Sequence, residues 1–272
     1  MGFWGPSKIE RELDEVVRSC AKVATRFEAT PLRPGEAISV TGTRFGGIPY
    51  AEAGDTWPRL GKRPYDFVAQ LNLRQCYEPP TTAYELITVF VCWHILATAE
   101  EDEWERACIV RSYQNPSEAS AISIARPEPI DEDDFQVVAC AVNSRQMLSY
   151  PRPGWELDNP AIAALACKLK GYEKTFEKSW NRHGLRWRVR FHRTYEKSLK
   201  RLGFRWRNED TQIGGYPTWV HDNTLDGEEM FFVAQIAYEP AANNCIGDAA
   251  PIFIAAHHSD PTRFETDPWQ SH

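Results

Sequence analysis

Among the residues whose types could do chemistry, glutamines recur in a fixed setting. Gln70 stands fourth in the run Phe67-Val68-Ala69-Gln70-Leu71, and Gln235 fourth in Phe232-Val233-Ala234-Gln235-Ile236. A primary amide inside an apolar strand carries two donors and one acceptor that must be satisfied if buried. Two roles follow. Each amide holds main-chain groups of the nearby Gly-Gly turn in its own half, or the two meet in a cleft between the halves and present donors to a ligand. Retention of buried amides mainly where they are satisfied favours the first.

Basic residues form the second group. From Lys168 to Arg207, fourteen Lys and Arg face three Glu, a net of +11 in a chain of −7, so the remainder carries −18. Arg186, Arg188 and Arg190 alternate with Trp187, Val189 and Phe191, which gives a strand one cationic and one apolar face. With Arg193, Arg205 and Arg207 they form the candidate binding set. Cations among aromatics suit phosphate backbones and stacked bases, yet an acidic chain repels nucleic acid. The same arginines suit an acidic protein partner, or the chain's own acidic runs at Glu100–Glu105 and Asp131–Asp134.

Other chemistry is thin. His257 and His258 are adjacent, so on a strand they point to opposite faces and chelate one metal poorly. They read as surface residues near a strand end. Seven cysteines, an odd number with no C-x-x-C pair, read as free buried thiols of a reducing compartment. Asp248 reads as a turn residue. Gly54-Asp55 and Gly61-Lys62 lack a phosphate-binding context, and no nucleophile elbow, P-loop or H-E-x-x-H occurs. No catalytic residue, metal or cofactor is assigned.

The elements that position these residues read as follows. Ser7 opens a helix with a capping box to Glu10. Ile9, Leu13, Val16, Val17, Cys20, Val23 and Ala24 carry it to about Phe27. Residues 37–95 are strand-like, with Leu86 to Ile95 a buried strand. Ala107–Val110, Ser120–Ala125 and Val137–Val142 are further strand candidates. Asp158-Asn159-Pro160 starts a helix running to about Trp180. Leu185–Phe191 is a strand, and Thr194 caps a short helix ended by Gly203.

The chain then echoes itself. Gly214-Gly215-Tyr216-Pro217 matches Gly46-Gly47-Ile48-Pro49, each followed about twenty residues later by Phe-Val-Ala-Gln and then by an apolar strand. We read this as an internal duplication: a first half over residues 37–95, a middle over 96–210 holding the basic segment 168–207, and a second half over 211–256, within one domain of 1–272. Adjacent glycines permit positive φ and close backbone approach, and the proline two residues on makes the turn rigid. Gly46, Gly47, Pro49, Trp57, Gln70, Gly214, Gly215, Pro217, Trp219, Gln235 and Asp248 are the motif or cleft residues.

These motifs resemble the YwqG-like family of bacterial proteins, a domain of unknown function. The pattern comprises Gly46, Gly47, Pro49, Trp57, Pro58, Phe67 to Leu71, Gln212 to Pro217, Phe232 to Ile236 and Gly247 to Ala249. It covers roughly residues 40–256. Three positions depart: Thr211 stands where the family has His, Ile246 where it has Trp, and Ala250 where it has Gly. The resemblance implies no established activity; it implies an α+β fold with a duplicated half and a mixed sheet, and an association with toxin–immunity loci.

The expectation is therefore an α+β chain with a mixed, largely antiparallel sheet built from two duplicated half-units with flanking helices. It lacks an apolar leader or any run long enough to span a membrane, and reads as soluble and cytoplasmic. The leading function is a non-enzymatic protein-binding module, with a toxin as partner. The alternatives are an enzyme with its site between the repeats, and nucleic-acid binding through 168–207.

Overall fold

In the computed structural model, residues 8–98, 104, 106–128, 137–151, 193–204, 210–218, 225, 229–244 and 251–268 are described. The chain divides into two compact units, one of residues 1–22 and 148–207, the other of residues 23–147 and 208–272.

The larger unit is a sheet. Its strands are β1 (Lys22–Pro31), β2 (Arg44–Phe45), β5 (Asp66–Asn72), β6 (Leu86–Val91), β7 (Cys108–Tyr113), β8 (Cys140–Ser149), β9 (Thr211–Gly214), β10 (Met230–Ile236), β11 (Ile252–His257) and β12 (Phe264–Asp267). The small hairpin β3 (Arg59–Leu60) and β4 (Arg63–Pro64) stands apart. The order in the ten-stranded sheet is β12-β11-β10-β9-β1-β8-β2-β5-β6-β7. Outward from the central β1–β8 pair, one side runs β9, β10, β11, β12 and the other β2, β5, β6, β7. In the central pair, β1 from the start of the chain borders the C-terminal strands through β9, and β8 borders the N-terminal strands through β2.

The sheet is antiparallel and nearly closed. Its two edges approach where the Cys108 thiol on β7 bonds the Thr266 side chain on β12, and where the Tyr84 and Phe264 rings lie 5.4 Å apart. Curling brings the inner faces of both sides into one core that includes Phe27, Phe45, Phe67, Phe90, Ile213, Val233 and Ile254. Such closure also shields strand edges that would otherwise template association.

This is a largely β fold, which corrects the α+β expectation and its mixed sheet. One cause is visible at the N-terminus. Helix α1 spans only Lys8–Ser19, and Lys22–Pro31 is a strand, although the sequence extends the helix to Phe27. Val23 and Phe27 are four residues apart, a spacing that satisfies both the helical period and the two-residue strand period. Pairing decides between them: Ala24 to Phe27 lie opposite Gly214 to Thr211 on β9. Similarly, β6 stops at Val91 and helix α2 (Trp93–Thr98) takes over, shortening the strand expected to reach Ile95. Residues 120–125 form no strand. The helix expected over 158–180 and the strand over 185–191 lie outside the described residues.

Two bulges punctuate the sheet at matched places. The β5–β6 register shifts between Phe67 and Ala69, and the β10–β11 register between Phe232 and Ala234. Val68 and Val233 are the extra residues, both fully buried. A bulge shifts the alternation of faces by one residue; all of Asp66–Asn72 is buried, so both faces of this strand are covered.

In the smaller unit, Leu13 and Val17 of α1 are buried. Helix α3 spans 193–201, so Thr194 lies inside it rather than at its cap. Gly203 follows at a φ of 80° and ends the helix as the sequence indicated. Asp14 of α1 receives Arg201 of α3 at 2.8 Å and 2.7 Å and is also bonded by Ser198. Burial acts to raise the Asp14 pKa, but the Arg201 and Ser198 bonds hold it below the ordinary carboxylate value. Among the described residues no helix is long and apolar enough to cross a membrane.

Candidate functional site

The two Gly-Gly-x-Pro turns and the glutamines behind them form the best-defined arrangement in the larger unit. Gly46 and Gly47 take φ of 53° and 77°, and Gly214 and Gly215 take 69° and 74°. Gly46 also lies against backbone, since a Cβ there would stand 2.5 Å from the Val137 carbonyl oxygen. Positive φ and this approach together explain the glycine.

Gln70 is fully buried. Its Oε1 accepts from Tyr50 N at 2.6 Å, and its Nε2 donates to Val40 O at 2.9 Å and Gly42 O at 2.8 Å. Gln235, equally buried, accepts from Thr218 N at 2.9 Å and donates to Asp210 O at 2.8 Å. Gly42 and Asp210 each stand four residues before the first glycine of their turn, and Tyr50 and Thr218 four residues after it. Each amide therefore ties together the two chain segments that enter and leave its turn, rather than the glycines themselves. Neither amide lies in an open cleft.

The clamp has further parts that sequence reasoning missed. Thr43 accepts from Asn72 N at 3.0 Å, and Thr211 from Ala237 N at 3.1 Å. Both threonines lie three residues before the first glycine. Arg44 donates to Ile48 O at 3.2 Å, and Gln212 to Tyr216 O at 2.8 Å, again at matched positions. The signal was present: Thr-x-x-Gly-Gly-x-Pro occurs in both halves, whereas Thr211 alone looked only like a departure from a family pattern.

Other sequence-predicted residues take structural places. Pro49 is buried and Pro217 half-buried beside their turns. Trp57 is buried, donating Nε1–H to Tyr65 O at 2.7 Å and packing edge-on to Phe90 at 5.7 Å. His257 is buried rather than at the surface, its Nε2 2.7 Å from Glu265 Oε1, because β12 covers the strand end; His258 is exposed. Burial pushes the Cys76 and Cys108 thiols up to about 12, which holds them as unreactive thiols at neutral pH. Arg186, Arg188, Arg190, Arg205, Arg207, Trp219 and Asp248 lie outside the described residues.

Charged groups gather around Arg26 of β1. Arg26 pairs with Asp210 at 2.6 Å. Glu239 accepts from Ala29 N at 3.0 Å. Burial raises its carboxyl above the ordinary value despite that bond and the Thr211 hydroxyl. A second network links Tyr50 Oη to Glu52 at 2.7 Å and to Ser120 at 2.8 Å, and Tyr113 Oη to Asp55 at 3.0 Å. Among the described residues no group of three His, Cys, Asp or Glu is placed to hold a metal ion.

On α3, Arg193, Lys197 and Lys200 are exposed. Their spacing of four and then three puts them on one helical face. Arg201, by contrast, is engaged with Asp14 and Glu10.

No curated protein matches the chain. A family model does, over residues 43–265, from Thr43 of the first clamp to β12. The chain belongs to the family described as Domain of unknown function (DUF1963).

Proposed function

We propose that this protein is a non-enzymatic binding module for an acidic protein surface, with a toxin that it neutralises as the partner class. The reading rests on the exposed row Arg193, Lys197 and Lys200 on α3, which continues the basic segment into a helix face. Exposed cations without an internal ion pair steer and select partners more than they stabilise a fold. The side chains of the larger unit that could have carried chemistry bear on the same reading. Gln70 and Gln235 are spent on holding main chain, and the Cys76 and Cys108 thiols are held protonated.

With this function we propose two finer points. The family resemblance is to the YwqG-like proteins, on the motif residues given above. The matched clamps, matched bulges and matched strand order are the trace of an internal duplication.

The test is a pull-down of the tagged protein from its native cells beside a variant carrying Arg193→Glu, Lys197→Glu and Lys200→Glu, with circular dichroism to establish that both fold. A stoichiometric protein partner held by the wild type and lost by the variant is the expected result. Recovery of RNA or DNA in place of protein, or equal recovery by both forms, overturns the reading.

A further inference from the structure

Arg44 differs from the other arginines whose partners are known. It is 9% exposed, yet it has no carboxylate partner among the described residues. Its guanidinium donates only to main-chain oxygens, NH1 to Ile48 O and NH2 to Ser39 O, and its buried Nε has no acceptor. A guanidinium has five N–H donors and stays charged, so three of the five are unspent. Arg26, by comparison, meets Asp210, and Arg126 meets Asp66 at 2.6 Å.

The fold does not require this charge. At the matched place in the second half stands Gln212, a neutral amide, and it bonds Tyr216 O just as Arg44 bonds Ile48 O. Desolvating a cation without a counter-charge is costly, and burial alone pushes the Arg44 pKa below its ordinary value. The charge is therefore surplus to the turn. Ile48, whose carbonyl oxygen accepts from Arg44, is itself 57% exposed.

We propose that Arg44 and the first Gly-Gly turn form a receptor for a small oxyanion, a carboxylate or phosphate group, that supplies the missing counter-charge. Arginine suits both, because its planar fork matches the two oxygens that each presents. The second turn, with Gln212, takes no anion, so the two halves differ in ligand while sharing a scaffold.

The experiment measures the Tm of the full chain in chloride, phosphate and acetate at matched ionic strength. At about ten times Kd, the effective anion raises the wild-type Tm by about 3 °C or more relative to chloride. Arg44→Gln folds, as Gln212 implies, and loses that rise. An effect of phosphate alone assigns a phosphate-bearing ligand, and of acetate alone a carboxylate. Equal Tm in all three salts, or an equal rise in wild type and variant, overturns the proposal. Should Arg44→Gln not fold, wild-type protein labelled with 15N-arginine decides instead, with Arg44→Lys used to assign the slowly exchanging Nε–H. A shift of that resonance in phosphate or acetate but not in chloride supports the site, and no shift overturns it.

Discussion

At the scale of the residue, the two buried glutamines are the clearest case of a side chain whose chemistry is spent on structure. Replacing Gln70 by Leu strands the Tyr50 N–H and the Val40 and Gly42 carbonyls. A buried backbone group left unpaired costs on the order of 1–3 kcal/mol, so Gln70→Leu is expected to destabilise the chain by about 4 kcal/mol, measured by urea denaturation. A loss below about 1 kcal/mol would show that water or a rearranged loop replaces the amide. The glutamines and the glycine pairs were legible from their spacing. Thr43 and Arg44 were not singled out, because Thr and Arg are ordinary at strand starts, and Thr211 stood out only as a departure from a family pattern. Only the register of β2 against β5, with Arg44 opposite Gln70, and of β9 against β10, with Gln212 opposite Gln235, places them behind their turns.

At the scale of the element, the two Gly-Gly turns share a sequence but not a surrounding. A Cβ on Gly46 would meet Val137 O at 2.5 Å and Val138 O at 2.7 Å, while one on Gly214 would meet Glu78 O no closer than 3.3 Å. Both residues have positive φ, which costs a non-glycine residue about 1–2 kcal/mol. Gly214→Ala should therefore cost about 1 kcal/mol, and Gly46→Ala about 3 kcal/mol or more, because backbone cannot step aside. Equal losses in thermal unfolding would mean that the backbone at Val137 and Val138 shifts to make room. The bulges belong to this scale as well. Phe-Val-Ala reads as plain alternation, and nothing in those residues announces an extra residue. The partner strand imposes it, by requiring Phe67 opposite Phe90 and Ala69 opposite Val89.

At the scale of the whole larger unit, near-closure of the sheet protects groups along its seam. Cys108 sits on edge strand β7 against Thr266 of β12, its thiol pushed up to about 12. At pH 8 almost none is thiolate, so a pulse of iodoacetamide on the native protein should leave Cys108 unmodified, and Cys76 with it, as read by mass spectrometry. Modification of Cys108 at the rate of an exposed thiol would mean that the β7–β12 seam opens in the native state.

Local sequence alone carried the repeated motifs, the glycine turns, the buried amides and the strand character of residues 67–71 and 232–236, because these are local consequences of side-chain type and spacing. It also placed the short helix that Gly203 ends. The tertiary structure decided the rest. It turned residues 22–27 from helix to strand, since a four-residue apolar spacing serves either and only pairing with β9 distinguishes them. It set β1 beside β9 and β8 beside β2 and brought β7 to β12, contacts between residues far apart in the chain that no local pattern encodes. It left Arg44 buried without an acid, because whether a charge is paired depends on what the fold brings beside it.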